Sequence, residues 1–492
     1  MTMRRSAFGP DGQLATPSGL PEAPGLLKED GSALRGRLAR GEISSVELVT
    51  ACLDRIEALN PTYNAIVSLR PRGDILADAR RSDEARRAGD AQGALHGLPI
   101  AIKDLAATAG LRTTWGSPLF ADHVPIADDL PVARIREAGA IIVGKTNVPE
   151  FGLGSHTFNP VFGATKNAFR PELSAGGSSG GAAVALALRL LPIADGSDFG
   201  GSLRNPGAWN NVFGFRPSQG RVPSVPSQDP FYGQLSTIGP MGRSIADLAM
   251  LLSVMAGYDP RAPLSLASEA EPFERSLDRA GAPRIAWLSD LGGKLSFEPG
   301  VLDLCTSALS DLTRSGWQVE PVSVAFPWEE LWRAFVVLRH WAMSGRYGDT
   351  YADPQKRVHL KPDMAWEIES GLKLDAAVLS AAAKTRAAWY EAALGLFEHF
   401  DALALPSAQV FPFSIDQPWP REIAGRAMDS YHRWMEVVVP GTMSGCPVLN
   451  VPAGFDGEGR PMGMQLIGRP RADRELLAIA ARFERDEGRG SD

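Results

Sequence analysis

The 492 residues are 44% hydrophobic and 22% charged, with a formal net charge of −7. This composition excludes a disordered chain and supplies apolar material for a large core, while the acidic balance argues against nucleic acid or an anionic membrane surface as main partner. Three scattered cysteines, Cys52, Cys305 and Cys446, have neither metal-ligand spacing nor the number for a disulfide framework, so a reducing, cytoplasmic setting is expected.

Adjacent Arg4 and Arg5 are followed by Pro, Gly and polar residues where a signal peptide needs an apolar run. Residues 1–33 are therefore expected to form a flexible arm. From Leu34 to Leu59 the apolar spacing predicts two helices, the second opened by Ser44 with Glu47 three residues on, a capping-box pairing. Val46, Val49, Cys52, Leu53 and Ile56 give it one apolar face, and Asn60-Pro61 is expected to end it. "LHGLPIAIKDL" predicts a buried strand, Leu98 to Ile102, that delivers Lys103 and Asp104 at its C-terminal end, where α/β proteins place chemistry. A helix ending near Gly139 and a strand from Ala140 to Val143 follow, a βα alternation. "GAAVALALRLL", Gly181 to Leu191, is apolar nearly all round and reads as a buried helix stopped by Pro192.

Ile193 to Asp195 reads as a short strand, residues 239–257 as an apolar-faced helix, and residues 258–283, rich in Pro, Ala and Glu, as a surface connection. "PRIAWLSDLGG" and "GWQVEPVSV" read as strands framing the helix "GVLDLCTSALSDLTRSG". Aromatic residues then concentrate: Phe326, Trp328, Trp332, Phe335, Trp341, Tyr347, Tyr351 and Trp366. Core packing and pocket lining both fit such a cluster. "FDALALPSAQVFP" adds an apolar strand, and "CPVLNVPAGFDGEGRPMGMQLIG" a hairpin around Asp456-Gly457.

Two Gly-Ser loops flank the apolar segment after residue 180: "SAGGSSGG" (174–181) and "DFGGS" (198–202). A phosphate loop would need Lys followed by Ser or Thr, and Ala182 and Ala183 stand there instead. None of the seven histidines lies in a metalloprotease "HExxH", and His156, close to the first loop, is the histidine to watch. A serine hydroxyl needs a base, and a desolvated lysine amine can serve. Lys103, leaving a buried strand, meets that need.

"GLPIAIKDL" (97–105), "GKTNVPEFG" (144–152), the run from Ser174 to Gly207 and "GFRPSQGRV" (214–222) together resemble the amidase signature family of serine hydrolases. Ser178 follows Lys103 by 75 residues and Ser202 follows Ser178 by 24, compatible with that pattern. The likeness spans about 34–257 and resumes at 444–468. It implies an α/β fold of one large domain, a twisted mixed sheet covered by helices on both faces, with 34–257 as core, 258–440 as a variable section forming the pocket rim, and 441–485 returning to the core. It further implies Ser202 as nucleophile, Ser178 as proton relay after a cis Gly177-Ser178 bond, and Lys103 as terminal base, with no cofactor and no metal.

The N–H groups of Phe199, Gly200, Gly201 and Ser202 stand in the family's oxyanion-hole positions. Gly177, Ser179, Asp198 and Arg204 are implied supports of the loops. Where the family usually has "DTGGS" or "DIGGS", Phe199 enters, facing pocket or core. The expected substrate is a small molecule bearing an amide, bulky, apolar or aryl, with anilides, carbamates and esters as extensions of the same acyl-enzyme chemistry. His156, Phe231, Tyr232, Trp328, Trp332 and Trp341 are the expected pocket residues. Two alternatives stand beside this reading: the glutaminase subunit of a tRNA-dependent amidotransferase, which works with partner subunits, and a non-catalytic binding protein, against which the retention of Lys103, Ser178 and Ser202 argues. A homodimer is left open.

Overall fold

The computed structural model describes residues 4–90, 93–278 and 281–488. Residues 1–3 of the expected arm and 279–280 of the expected connection lie outside the described residues. Helix α1, Gly31–Arg40, leads to α2, Ser45–Tyr63, whose N-cap Ser44 accepts from the Glu47 N–H while the Glu47 side chain returns to Ser44, completing the capping box. Proline does not end α2. Pro61 lies inside its last turn, and the Asn60 side chain restitches the chain beyond, accepting from the Ala65 and Ile66 N–H groups at 2.9 and 2.8 Å.

A three-stranded sheet follows from β1 (Ile66–Val67), β2 (Pro99–Lys103) and β3 (Ile141–Thr146), in the order β1-β3-β2, with β2 and β3 parallel. The third strand runs past the expected end at Val143 to Thr146. Helix α3, Gly180–Ala187, is buried at every residue. At Gly181 an added Cβ would lie 2.3 Å from the Asn147 nitrogen and 2.6 Å from the Ala65 carbonyl oxygen, so only glycine lets this helix approach β1 and β3 so closely. The helix stops four residues short of Leu191 because the chain turns at Arg189, in the left-handed region at φ 57°, whose guanidinium binds the Leu27 and Lys28 carbonyls.

The large sheet has eight strands: β4 (Ile193–Asp198), β5 (Phe213–Arg216), β6 (Thr237–Gly242), β7 (Arg284–Trp287), β8 (Gln318–Pro321), β9 (Ala402–Pro406), β10 (Val448–Phe455) and β11 (Pro461–Gly468), in the order β8-β7-β9-β11-β10-β5-β6-β4. Its β7 pairs are parallel and the rest antiparallel, so the sheet is mixed. Every residue of β10 and β11 is buried, which requires cover on both faces. The expected helix over 239–257 is divided: 239–242 belong to β6, and the helix begins at Ile245 after Ser244, whose side chain accepts from the Asp247 N–H.

The arm is not loose over its described part. Arg5 bridges to Phe455 in β10, Ala7, Phe8 and Leu14 are buried, and Arg4 binds the Ala453 carbonyl at 2.6 Å and pairs with Asp311 and Glu487. No helix among the described residues is long and apolar enough to cross a membrane.

Candidate active site

Three chain segments converge at the β2 and β4 ends. Strand β2 runs beside the edge strand β4 and is fastened to it by the Lys103 N–H, which donates to Asp195 Oδ1 at 2.8 Å. This fixes the backbone from which the Lys103 side chain leaves, and that side chain ends in a nest of oxygens: Ser178 Oγ at 2.9 Å, Ser179 Oγ at 2.8 Å, and the Ser197 carbonyl and Oγ both at 3.1 Å. Lys103 is 1% exposed. Burial pushes its ammonium down to about 7, against the pull of Asp195 and Asp198, which favour the charged form.

The first loop is held from beneath. The Gly177-Ser178 bond is cis; the Ser155 hydroxyl donates to the Gly177 carbonyl at 2.6 Å, and the Thr157 hydroxyl to the Gly176 carbonyl at 2.7 Å. His156 belongs to the same support. Its Nε2 meets the Ile415 carbonyl at 2.9 Å and its Nδ1 the Ser174 hydroxyl at 2.8 Å, and burial brings it down to about 4, so the ring is neutral.

The second loop is organised by one carboxylate. Asp198 accepts from the Gly201 and Leu203 N–H groups at 2.9 and 3.0 Å and from Arg204 Nη2 and Nε at 2.9 and 3.1 Å, with Arg216 Nη1 at 3.3 Å. Burial alone would raise this carboxyl, but Arg204 and Arg216 outweigh it and hold it well below the usual range. Arg204 carries the brace onward to the Val438 carbonyl at 2.8 Å, Gln465 Oε1 at 2.7 Å and Thr442 Oγ1 at 2.8 Å. The glycine at 201 is required twice: φ is +92°, and an added Cβ would sit 2.1 Å from Asn205 Oδ1. The Gly201 N–H, expected at the oxyanion hole, is committed to Asp198. Those of Phe199, Gly200 and Ser202 donate to no group among the described residues.

Asp198→Asn keeps only one of the two acceptor oxygens that the loop uses and leaves Arg204 and Arg216, whose side chains are 0% and 1% exposed, without their counter-charge. We expect a loss of about 3 kcal/mol or more of unfolding free energy, measured by urea titration; a change below about 1 kcal/mol would show the pair to be dispensable.

The two loops are joined where the Ser179 N–H donates to the Ser202 carbonyl at 3.2 Å. Ser202 opens onto a narrow cleft, lined also by Gly152, Gly154, Phe199, Gly200, Phe335, Arg339, His432, Met435 and Val438. Gly152 of this lining packs close to Ser178: an added Cβ there would lie 3.4 Å from Ser178 Oγ. Phe199 faces this cleft, edge-on to Phe335 at 6.3 Å and under the Arg339 guanidinium at 4.9 Å. Arg339 is in turn bound to Glu367 Oε1 and the Tyr431 hydroxyl, each at 2.8 Å.

None of the six expected pocket residues lines the cleft. Phe231 and Tyr232 are exposed, 60% and 73%, Tyr232 meets Trp341 at 6.2 Å, Trp328 packs into the core against Trp389 at 4.9 Å, and Trp332 lies one layer behind, against Phe335 and His432. Arg339, His432, Met435 and Val438, cleft residues that the sequence did not single out, come from the section expected to form the rim, where no local pattern marks them individually. The cysteines are all buried and free, and burial pushes Cys52 and Cys446 up to about 12 and 11, which removes them as nucleophiles.

The chain matches the family model described as Amidase over residues 47–477. It is 33% identical over 452 residues to the protein named Acylamidase of Rhodococcus erythropolis, covering 91% of this chain and 93% of that one. It is 35% identical over 469 residues to a glutamyl-tRNA(Gln) amidotransferase subunit of Thermus thermophilus, covering 92% and 96%. Among solved structures, a bacterial aryl acylamidase described as belonging to the amidase signature enzymes superimposes with a TM-score of 0.86 at 28% identity, covering 93% of this chain and 96% of the other.

Proposed function

Because the chain belongs to the amidase family, we propose that it hydrolyses carboxylic amides bearing a bulky apolar or aryl group through an acyl-enzyme on Ser202. The observation that carries the reading is the contact of Lys103 Nζ with Ser178 Oγ at 2.9 Å, in a loop whose next residue, Ser179, donates its N–H to the carbonyl of Ser202 on the cleft. A neutral lysine amine has two N–H donors and one lone pair. With the N–H groups on the Ser197 carbonyl and the Ser179 hydroxyl, the lone pair is left for the Ser178 proton.

In this reading Ser202 Oγ attacks the amide carbon, its proton passes to Ser178, and the Ser178 proton passes to Lys103. The N–H groups of Phe199, Gly200 and Ser202 receive the developing oxyanion, and Asp198 holds their loop from behind. The C–N bond then breaks as the amine takes a proton back along the same relay. Water, deprotonated by the relay, releases the acid and restores Ser202. Anilides, carbamates and esters share the acyl-enzyme step. Phe199, Phe335, Met435 and Val438 give the cleft an apolar wall, which supports aryl or bulky apolar substrates.

The 35% identity to an amidotransferase subunit supports a second reading, glutamine hydrolysis within a complex. A panel of a p-nitroanilide, a p-nitrophenyl carbamate, a p-nitrophenyl ester and glutamine separates the two, with nitroaniline, nitrophenol or ammonia as readout. We expect the purified chain to turn over the anilide and to release no ammonia from glutamine; ammonia alone would assign the second reading.

A further inference from the structure

A residue of the cleft wall carries a buried ring nitrogen that the hydrolytic steps leave unused. His432 lines the cleft, is 2% exposed, and is fixed in orientation, stacked on Tyr431 at 4.6 Å and edge-on to Trp332 at 5.2 Å and Trp366 at 5.9 Å. Its Nδ1 lies 2.8 Å from the Ser430 hydroxyl. That hydroxyl also lies 3.1 Å from Asp429 Oδ1, to which it can give its own proton while receiving the Nδ1 proton. In that tautomer the lone pair is on Nε2, which has no hydrogen-bond partner among the described residues. Burial, reinforced by the charges of Arg339, His340 and Arg433, holds the imidazole well below its usual range and keeps that lone pair in place. Arg339, the other large polar side chain of the cleft, is already engaged by Glu367 and Tyr431.

We propose that His432 Nε2 is a specificity-determining acceptor that receives an O–H or N–H donor on the acyl or leaving group of the substrate, so that the cleft selects donor-bearing amides, such as hydroxyaryl amides, over their apolar isosteres. The proposal rests on the hydrolase reading and narrows its substrate class. A site with a built, buried acceptor discriminates against a ligand that cannot satisfy it far more strongly than an apolar wall discriminates between ligands of similar size.

The test pairs anilides carrying a hydroxyl on the acyl ring, and others carrying it on the leaving ring, with fluoro counterparts that are similar in size and cannot donate. Wild type is expected to favour at least one hydroxyl substrate over its fluoro partner by about tenfold or more in kcat/KM, chiefly through KM. His432→Phe lowers the hydroxyl substrate to the level of its fluoro partner, and His432→Gln, which keeps an acceptor oxygen, retains part of the preference. Calorimetric binding of the same pairs to Ser202→Ala reads the preference without turnover. A wild-type ratio near one in both kcat/KM and Kd overturns the proposal, as does a ratio that His432→Phe leaves unchanged. A clear preference in Kd with no turnover of any anilide keeps the acceptor and overturns the hydrolase reading instead.

Discussion

Lys103→Met is expected to lower kcat by about 10³- to 10⁴-fold, the upper range for losing a positioned acid–base group, while far-UV circular dichroism stays unchanged. The fold survives in this expectation because methionine fills a similar volume in a site that is 1% exposed and removes a buried amine whose desolvation already costs free energy. The same burial sets the pH dependence of the wild type. A free lysine, near 10.4, would be about 0.04% neutral at pH 7. With burial bringing Lys103 down to about 7, half of the molecules carry the neutral amine there. In the proposed mechanism the active form is the deprotonated one, so kcat/KM is expected to rise with pH through about 7 and to level off above it. A profile that falls with rising pH over this range would remove Lys103 as the base, as would a Lys103→Met enzyme of wild-type rate.

The residues proposed for the chemistry were easier to single out in the sequence than those of the cleft wall, for a physical reason. Lys103, Ser178 and Ser202 sit in short stretches where backbone demands restrict residue choice, at a strand end and in two loops where close approach excludes a Cβ, and such demands leave local marks. Gly181 and Gly201 are examples, each closed in by neighbours at 2.3 Å or less from an added Cβ. The cleft wall obeys no such local rule. Phe335, Arg339, His432 and Met435 meet Phe199 only because long helices and loops return to the β4 end, and nothing in spacing or composition links residue 199 to residue 432.

Helix ends were misread where side chains replaced the usual signals: the Asn60 side chain takes up the N–H groups beyond Pro61, and the Arg189 guanidinium collects the Leu27 and Lys28 carbonyls where the chain turns after α3. Residues 239–242 read as helical because they adjoin an apolar helix, yet their partners are strands β4 and β5, distant in the pattern and adjacent in the sheet. The aromatic cluster divided: Phe335 lines the cleft, whereas Phe326 and Trp328 pack on Trp389 in the core.

Ser202→Ala should show the largest loss of all, about 10⁶-fold in kcat on the scale of a nucleophile removed from a cooperating set. Alanine leaves the N–H groups of the second loop where they are, because Asp198 fixes that loop through Gly201, Leu203 and Arg204 and not through the serine hydroxyl. Substrate binding is therefore expected to survive, so Kd for an anilide changes by less than about threefold while turnover disappears. In the proposed mechanism Ser178→Ala cuts the relay between Ser202 and Lys103, and if the three groups act as one unit, the double variant Ser178→Ala/Ser202→Ala should be no slower than Ser202→Ala alone. Single-turnover kinetics distinguish this from independent contributions: losses that multiply in the double variant would mean that Ser178 acts outside the path from Ser202 to Lys103, and turnover persisting in Ser202→Ala would move the nucleophile to another residue of the cleft.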